Sequence, residues 1–264
     1  MIGNLLRLSM RKYNLLIFAL LIVSCSVKEE RGDCPCRLFL DLTSVDLVDF
    51  SPLSISVISD DGFEYNTDVR YDSYKDTCVV DVPRSDLNIV VWGGGYEYLS
   101  EEGLEIPYGC GCPPVYIHTN RLSATGEYVY DSISLKKNYC ILSVEIDDYK
   151  QVDALAIRGN ISGFQKFGEP RHGDFLVTAQ PSARSGVLNN FYIPRQDGAE
   201  LYLDVIEEGG SSKTFPLHDY IEEYGYDWTE SDLDDLNLIL EYTSSGIIVT
   251  ICGWSGELVV DVVI

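Results

Sequence analysis

Residues 236–264 read LNLILEYTSSGIIVTICGWSGELVVDVVI. Three apolar runs, 236–242, 247–252 and 258–264, are separated by short stretches of serine and glycine. Each run is too short for an ordinary helix and is dominated by Leu, Ile and Val, the residues that suit a pleated, half-buried strand. Upstream the pattern repeats at 139–146, 154–161, 175–179, 187–193 and 201–206, with turns rich in Gly, Asn and Asp. Eight short strands with almost no helix predict a β-sandwich. The one helix expected lies over 217–224, where Pro216 sits at the start and Gly225 follows the end.

The first half carries the same period of two. Leu38, Leu40 and Leu42 face one way, and so do Leu53, Ile55 and Val57, with Ser54 and Ser56 between them. Asp61-Gly62 reads as a turn. Cys78, Val80 and Val82 alternate again before Pro83. The run 87–92 is more continuously apolar and ends at Gly93-Gly94-Gly95, a turn rather than a phosphate loop, because no Lys-Ser/Thr follows. The expected architecture is all-β: two tandem antiparallel β-sandwiches, spanning 34–133 and 134–264.

The N-terminus carries a different signal. Arg7, Arg11 and Lys12 precede YNLLIFALLIV at 13–23, and no acidic residue appears before Glu29. A basic start, an apolar core too short to span a bilayer and a small residue at the cut describe a secretory signal peptide over 1–24. Ile22-Val23-Ser24-Cys25 is an acceptable lipobox, which makes Cys25 the expected lipid-attachment cysteine. Residues 25–33 then form a polar tether, and no further spanning segment is expected.

Loss of the first 24 residues removes three basic and no acidic side chains and takes the formal charge from −23 to −26. Such a surface repels nucleic acid and anionic lipid. Hydrophobic residues make up 45% of the chain, enough for a packed core, which argues against a disordered acidic tail.

Chemistry-bearing residues are sparse. His118, His172 and His218 lie in apparent loops without an adjacent nucleophile, and Gly253-Trp254-Ser255-Gly256 lacks the G-x-S-x-G spacing. Asp232, Asp234 and Asp235 lack the glycine and distal glutamate of a calcium loop and read as a solvated acidic turn. No catalytic residue, cofactor or metal site is assigned. Two C-x-C pairs, Cys34/Cys36 and Cys110/Cys112, stand open to three readings: disulfides joining the pairs, free thiols, or a four-thiolate zinc site. Cys140 and Cys252 sit within apolar strand patterns and are expected to fill core.

Several segments in order carry a family resemblance. They are Lys28-Glu29-Glu30 after Cys25, Asp33-Cys34-Pro35-Cys36-Arg37-Leu38, Val82-Pro83-Arg84, Val91-Trp92-Gly93-Gly94 and Tyr108-Gly109-Cys110-Gly111-Cys112-Pro113-Pro114-Val115-Tyr116. Later come Phe215-Pro216-Leu217, Gly225-Tyr226-Asp227-Trp228 and the strands of the last thirty or so residues. Together they resemble the FimB-type minor fimbrium anchoring subunits of Bacteroidales. The resemblance implies a protein of two transthyretin-like β-sandwiches, lipidated at Cys25, with Lys28, Glu29 and Glu30 as its surface-export signal. Such a protein is held in the outer membrane by lipid and attaches a fimbrium through contacts with stalk subunits. Stalk subunits of that system polymerise by strand exchange, so the C-terminal run, with Leu258, Val260 and Val262 alternating, is either a stalk contact or the last strand of the second sandwich. Arg31 and Arg37 match a protease-maturation site by residue type only, and no cleavage is expected. The alternative reading is a surface lipoprotein that binds a glycan or host ligand, which an exposed Trp92, Tyr96 and Tyr98 platform would favour.

Overall fold

A computed structural model describes residues 34–46, 50, 52–70, 76–146, 152–180, 189–197, 200–243, 246–253 and 256–262. In chain order the strands of the first half are β1 (Cys36–Asp41), β2 (Leu53–Ser59), β3 (Glu64–Val69), β4 (Thr77–Val82), β5 (Asp86–Gly94), β6 (Leu99–Ser100), β7 (Gly103–Glu105), β8 (Val115–Ser123) and β9 (Tyr128–Ser132). There follow β10 (Lys136–Lys137), β11 (Tyr139–Ile146), β12 (Val152–Gln165), β13 (Pro170–Ala179), β14 (Asn189–Pro194), β15 (Leu201–Glu207) and β16 (Ser212–Phe215). Helix α1 (Leu217–Glu223), β17 (Leu236–Thr243), β18 (Gly246–Gly253) and β19 (Gly256–Val262) complete the chain.

These strands build two β-sandwiches. In the first, a sheet ordered β4-β1-β9 faces one ordered β10-β8-β5-β2-β3. Their shared core takes the alternate residues of each strand: Leu38 and Leu40 from β1, Leu53, Ile55 and Val57 from β2, Leu87, Ile89 and Val91 from β5. Each of these eight side chains is fully buried, a contribution of roughly 1.5–3 kcal/mol apiece. The second sandwich pairs β14-β11-β17-β18-β19 with β16-β15-β12-β7-β6, and β13 lies alongside β12. Most pairings are antiparallel, but each sandwich holds one parallel pair, β1 with β9 and β11 with β17.

The continuous apolar run in β5 has a tertiary cause. Leu87, Ile89 and Val91 point into the first core, whereas Val90 and Trp92 belong to the core of the second sandwich. A strand covered on both faces loses its polar alternation. Strand exchange between the halves reinforces this packing. β7 pairs with β12, although it precedes residue 133, and β10 pairs with β8, although it follows it.

Glycine acts where the chain must approach itself. β5 runs on through Gly94, and the expected turn comes one step later, closed by a bond from Tyr98 N–H to the Gly95 carbonyl at 3.1 Å. Gly94 has φ +80°, and a Cβ there would lie 2.2 Å from the Pro114 carbonyl oxygen. Only glycine fits that position.

Candidate assembly surface

The C-terminal sheet edge is built by simple alternation. Leu236, Leu238 and Leu240 of β17 are buried, as are Ile247, Val249 and Ile251 of β18. β19 pairs with β18 in a register that sets Leu258 opposite Ile251, Val260 opposite Val249 and Val262 opposite Ile247. The three residues singled out in the sequence are thus the cross-strand partners of three core residues. β19 ends its sheet, and among the described residues no strand is hydrogen-bonded to its far side. An unpaired strand edge is a template for adding another chain's strand.

The other end is arranged differently. Cys25, Lys28, Glu29, Glu30 and Arg31 lie outside the described residues. Cys34 is exposed, and its carbonyl accepts a bond from Arg84 Nε at 3.0 Å. β1 then enters the middle of its sheet, antiparallel to β4 and parallel to β9. Arg37, on β1, pairs with Asp81 at 3.3 Å. A strand paired on both sides leaves only by breaking two ladders.

Between these ends the two sandwiches are locked by cations from one segment and carbonyls from another. Helix α1 ends in a complete Schellman closure: Gly225, at φ +85°, donates to the Glu222 carbonyl at 2.9 Å and Tyr226 to the Ile221 carbonyl at 3.1 Å. This turns the chain into the 226–235 loop. Arg195 donates to the Lys137 carbonyl at 2.5 Å, the Glu230 carbonyl at 2.7 Å, Asn138 Oδ1 at 3.1 Å and the Trp228 carbonyl. Burial holds this guanidinium below the ordinary arginine range. Lys137 donates to the Leu233 carbonyl at 2.7 Å and to Asp235 Oδ1 at 2.8 Å, and its ammonium lies 5.0 Å from the Tyr139 ring centre. The Tyr226 hydroxyl donates to the Asp234 carbonyl at 2.6 Å, and burial raises its pKa. Asp235 therefore serves as a clamp residue.

Histidine and cysteine play structural parts. His118 bridges the two sheets of the first sandwich through Asp131, with Nε2 donating to Oδ2 at 3.1 Å, and both residues are buried. His172 pairs with Asp197 at the surface, and His218 with Asp219. No disulfide links any two of the seven described cysteines. Cys36 belongs to the first core and Cys112 to the second, so the structure does not bring the two C-x-C pairs together. Burial pushes the Cys140 thiol up to about 12 and also raises Cys112 and Cys36. Among the described residues no group of three or more His, Cys, Asp or Glu is placed to hold a metal ion. Nor is any helix there long and apolar enough to cross a membrane.

The aromatic platform that the alternative reading would need does not form. Trp92 is buried in the second core, and the Tyr96 hydroxyl is engaged by the Gly94 amide and by the carbonyls of Phe50 and Pro52. Sequence reasoning passed over Lys137, Asn138 and Arg195, which carry the lock. Their only local sign was polar residues beside strand starts, which is common to many turns.

No family model matches the chain, and no curated protein sequence matches it. Solved structures do. A candidate polysaccharide-binding protein of Bacteroides thetaiotaomicron superposes with a TM-score of 0.63 at 13% identity, covering 86% of this chain and 98% of that one. The fimbrial anchor protein Mfa2 of Porphyromonas gingivalis gives 0.63 at 11% identity, covering 84% and 98%. A candidate adhesin of Bacteroides ovatus gives 0.56 at 9% identity, covering 86% and 95%. Almost the whole of each relative is matched while sequence identity is near background, so what the chain shares with them is the two-sandwich fold.

Proposed function

We propose that this protein is a lipid-anchored anchor subunit, attached through Cys25 to the outer membrane and exposed at the surface, where it holds a fimbrium and seeds or limits its assembly. The observation that carries the reading is the contrast between the two chain ends within a fold like that of Mfa2. β1, next to the lipid tether, is paired on both sides, whereas β19 lies at a sheet edge. In strand exchange a subunit that keeps its first strand and offers its last edge starts a polymer without inserting into one. Backbone hydrogen bonds along β19 would supply affinity for a stalk subunit, and alternate side chains would supply register. The lock between the sandwiches carries load from the stalk contact to the tether. The role is structural and requires no catalytic group.

Lys28, Glu29 and Glu30 are assigned to export on the family resemblance, and Leu258, Val260 and Val262 to the stalk contact on their place in β19. Affinity capture from intact fimbriated cells tests the reading, comparing the full chain with a chain ending at Gly256. Stalk subunits should come down with the full chain and be lost with the folded truncation, and Cys25→Ala should release the protein from the membrane fraction. Capture of no fimbrial subunit by the full chain from visibly fimbriated cells would overturn the anchor role.

A further inference from the structure

A second surface feature lies away from both chain ends. β12 pairs with β13 up to Gly159 opposite Phe175, then resumes with Ile161 opposite His172, so two residues of β13 face the single Asn160. On its other side β12 parts from β15 at the same point, after Gly159 opposite Leu201. A bulge beside a strand end opens the sheet and re-aims its side chains. The opening is a cleft of about 270 Å³ whose walls include Tyr108, Arg158, Asn160, Asp174, Glu200 and Tyr202.

Each wall is set by a separate interaction. The C-x-C loop is pinned to β13 by Gly109 N–H donating to the Leu176 carbonyl at 3.0 Å, which leaves the Tyr108 ring 70% exposed at the rim. Arg158 is held by Asp204, with Nε to Oδ2 at 2.7 Å and Nη2 to Oδ1 at 3.4 Å, and lies 4.5 Å from the centre of the Tyr202 ring. The Asp204 bond also raises its pKa. Nη1 has no hydrogen-bond partner among the described residues. Asp174 and Glu200 are exposed carboxylates, and the buried Oδ1 of Asn160 accepts no hydrogen bond.

We propose that this cleft binds a neutral hexopyranose ring, stacked on Tyr108 and hydrogen-bonded by Arg158, Asp174 and Glu200. The cavity is smaller than the roughly 300–1,000 Å³ of drug-sized sites and suits one ring. A sugar hydroxyl both donates and accepts, matching the fixed donors of Arg158 and the acceptors of the two carboxylates. The C–H face of the ring covers the exposed aromatic face of Tyr108. Charge narrows the choice. Arg158 is neutralised by Asp204, so Asp174 and Glu200 leave the cleft net negative and repel phosphates, uronates and sialic acids. The assignment stands apart from the anchor role, which uses the other sandwich sheet.

Saturation-transfer NMR of the full chain against methyl glycosides of glucose, galactose, mannose, fucose and N-acetylglucosamine, with methyl glucuronide as the charged control, tests the assignment. At least one neutral glycoside should bind saturably, and the glucuronide should not. Tyr108→Ala should weaken binding about tenfold or more, while Tyr130→Ala, at an equally exposed aromatic site on β9, leaves it unchanged. A matched urea midpoint for Tyr108→Ala separates lost contact from lost fold. Trisaccharides bearing the same terminal ring distinguish a glycan end, which should bind at least as well, from a free sugar, which alone would bind. Absence of binding by every neutral glycoside, binding that survives Tyr108→Ala, or equal binding of the glucuronide would overturn the proposal.

Discussion

Lys137 Nζ lies 2.8 Å from Asp235 Oδ1, joining β10, which pairs with the first sandwich, to the segment entering β17 of the second. The same carboxylate oxygen accepts the Ile141 amide at 2.9 Å. The Lys137 side chain is 11% exposed and the Asp235 side chain 44%. The pair therefore sits at a boundary, where a bond to a charged group outweighs a surface ion pair. Lys137→Met and Asp235→Ala should each cost about 1–3 kcal/mol in urea unfolding. The double variant should cost less than their sum. Strict additivity would show that the contact contributes nothing.

Arg195 is the larger contributor to the same lock. Its guanidinium serves four acceptors, three of them main-chain carbonyls with no strand ladder to satisfy them. Arg195→Met leaves these carbonyls short of donors, and a loss of about 3–5 kcal/mol is expected. Arg195→Lys should recover little, because an ammonium cannot reproduce the planar fork. Limited proteolysis gives a second readout: cleavage within 226–235 should appear in Arg195→Met at protease levels that leave the parent intact.

His118 and Asp131 tie the two sheets of the first sandwich together. A carboxylate only accepts, so the proton between them belongs to Nε2, and Asn120 donates to the other oxygen at 2.8 Å. The Ser134 amide lies 3.1 Å from Nδ1. Asp131→Leu strands the buried His118 donor and removes the partner of Asn120, and should destabilise by about 2–5 kcal/mol. Asp131→Asn keeps one acceptor and the shape and should cost less than half as much. Equal losses in thermal denaturation would mean that packing rather than hydrogen bonding holds the site.

Stability should fall on the alkaline side. Burial disfavours the Cys140 thiolate and raises the pKa from 9.0 to about 12. The corresponding stability is present in full below the ordinary thiol value and is lost as pH rises towards 12. Three decades correspond to about 4 kcal/mol at most. Tyr139 and Tyr226, raised chiefly by burial, act in the same direction above their ordinary 10.0. The urea midpoint should hold steady from about pH 7 to 8.5 and drop progressively above about pH 9, with a smaller drop in Cys140→Ala. A midpoint unchanged at pH 11 would show these groups ionising freely in the fold.

Much of the architecture was legible because a strand covered on one face writes its burial into every second residue. Leu53, Ile55 and Val57 fill the core while Ser54 and Ser56 do not, and α1 falls within one residue of the expected 217–224. β3, EYNTDV, carries no such signal: it lies at a sheet edge with no buried residue and is held by its ladder to β2. The candidate sites were less legible. Strand β19 covers the first five residues of the run read over 258–264. The cleft at Asn160 depends on a register shift between β12 and β13 that no residue pattern announces.

By itself the sequence determined an acidic, all-β chain of alternating strands, with a lipobox expected before the fold. Alternation is local, set by the two-residue period of a single strand. The tertiary structure alone decided which strands meet: β7 and β10 crossing between the sandwiches, β1 running parallel to β9, and Lys137, Arg195 and Asp235 gathered into one lock. Those contacts join residues as much as 98 positions apart. They are fixed by packing two double-layered cores against each other, and no stretch of chain short enough to read as a pattern contains that information.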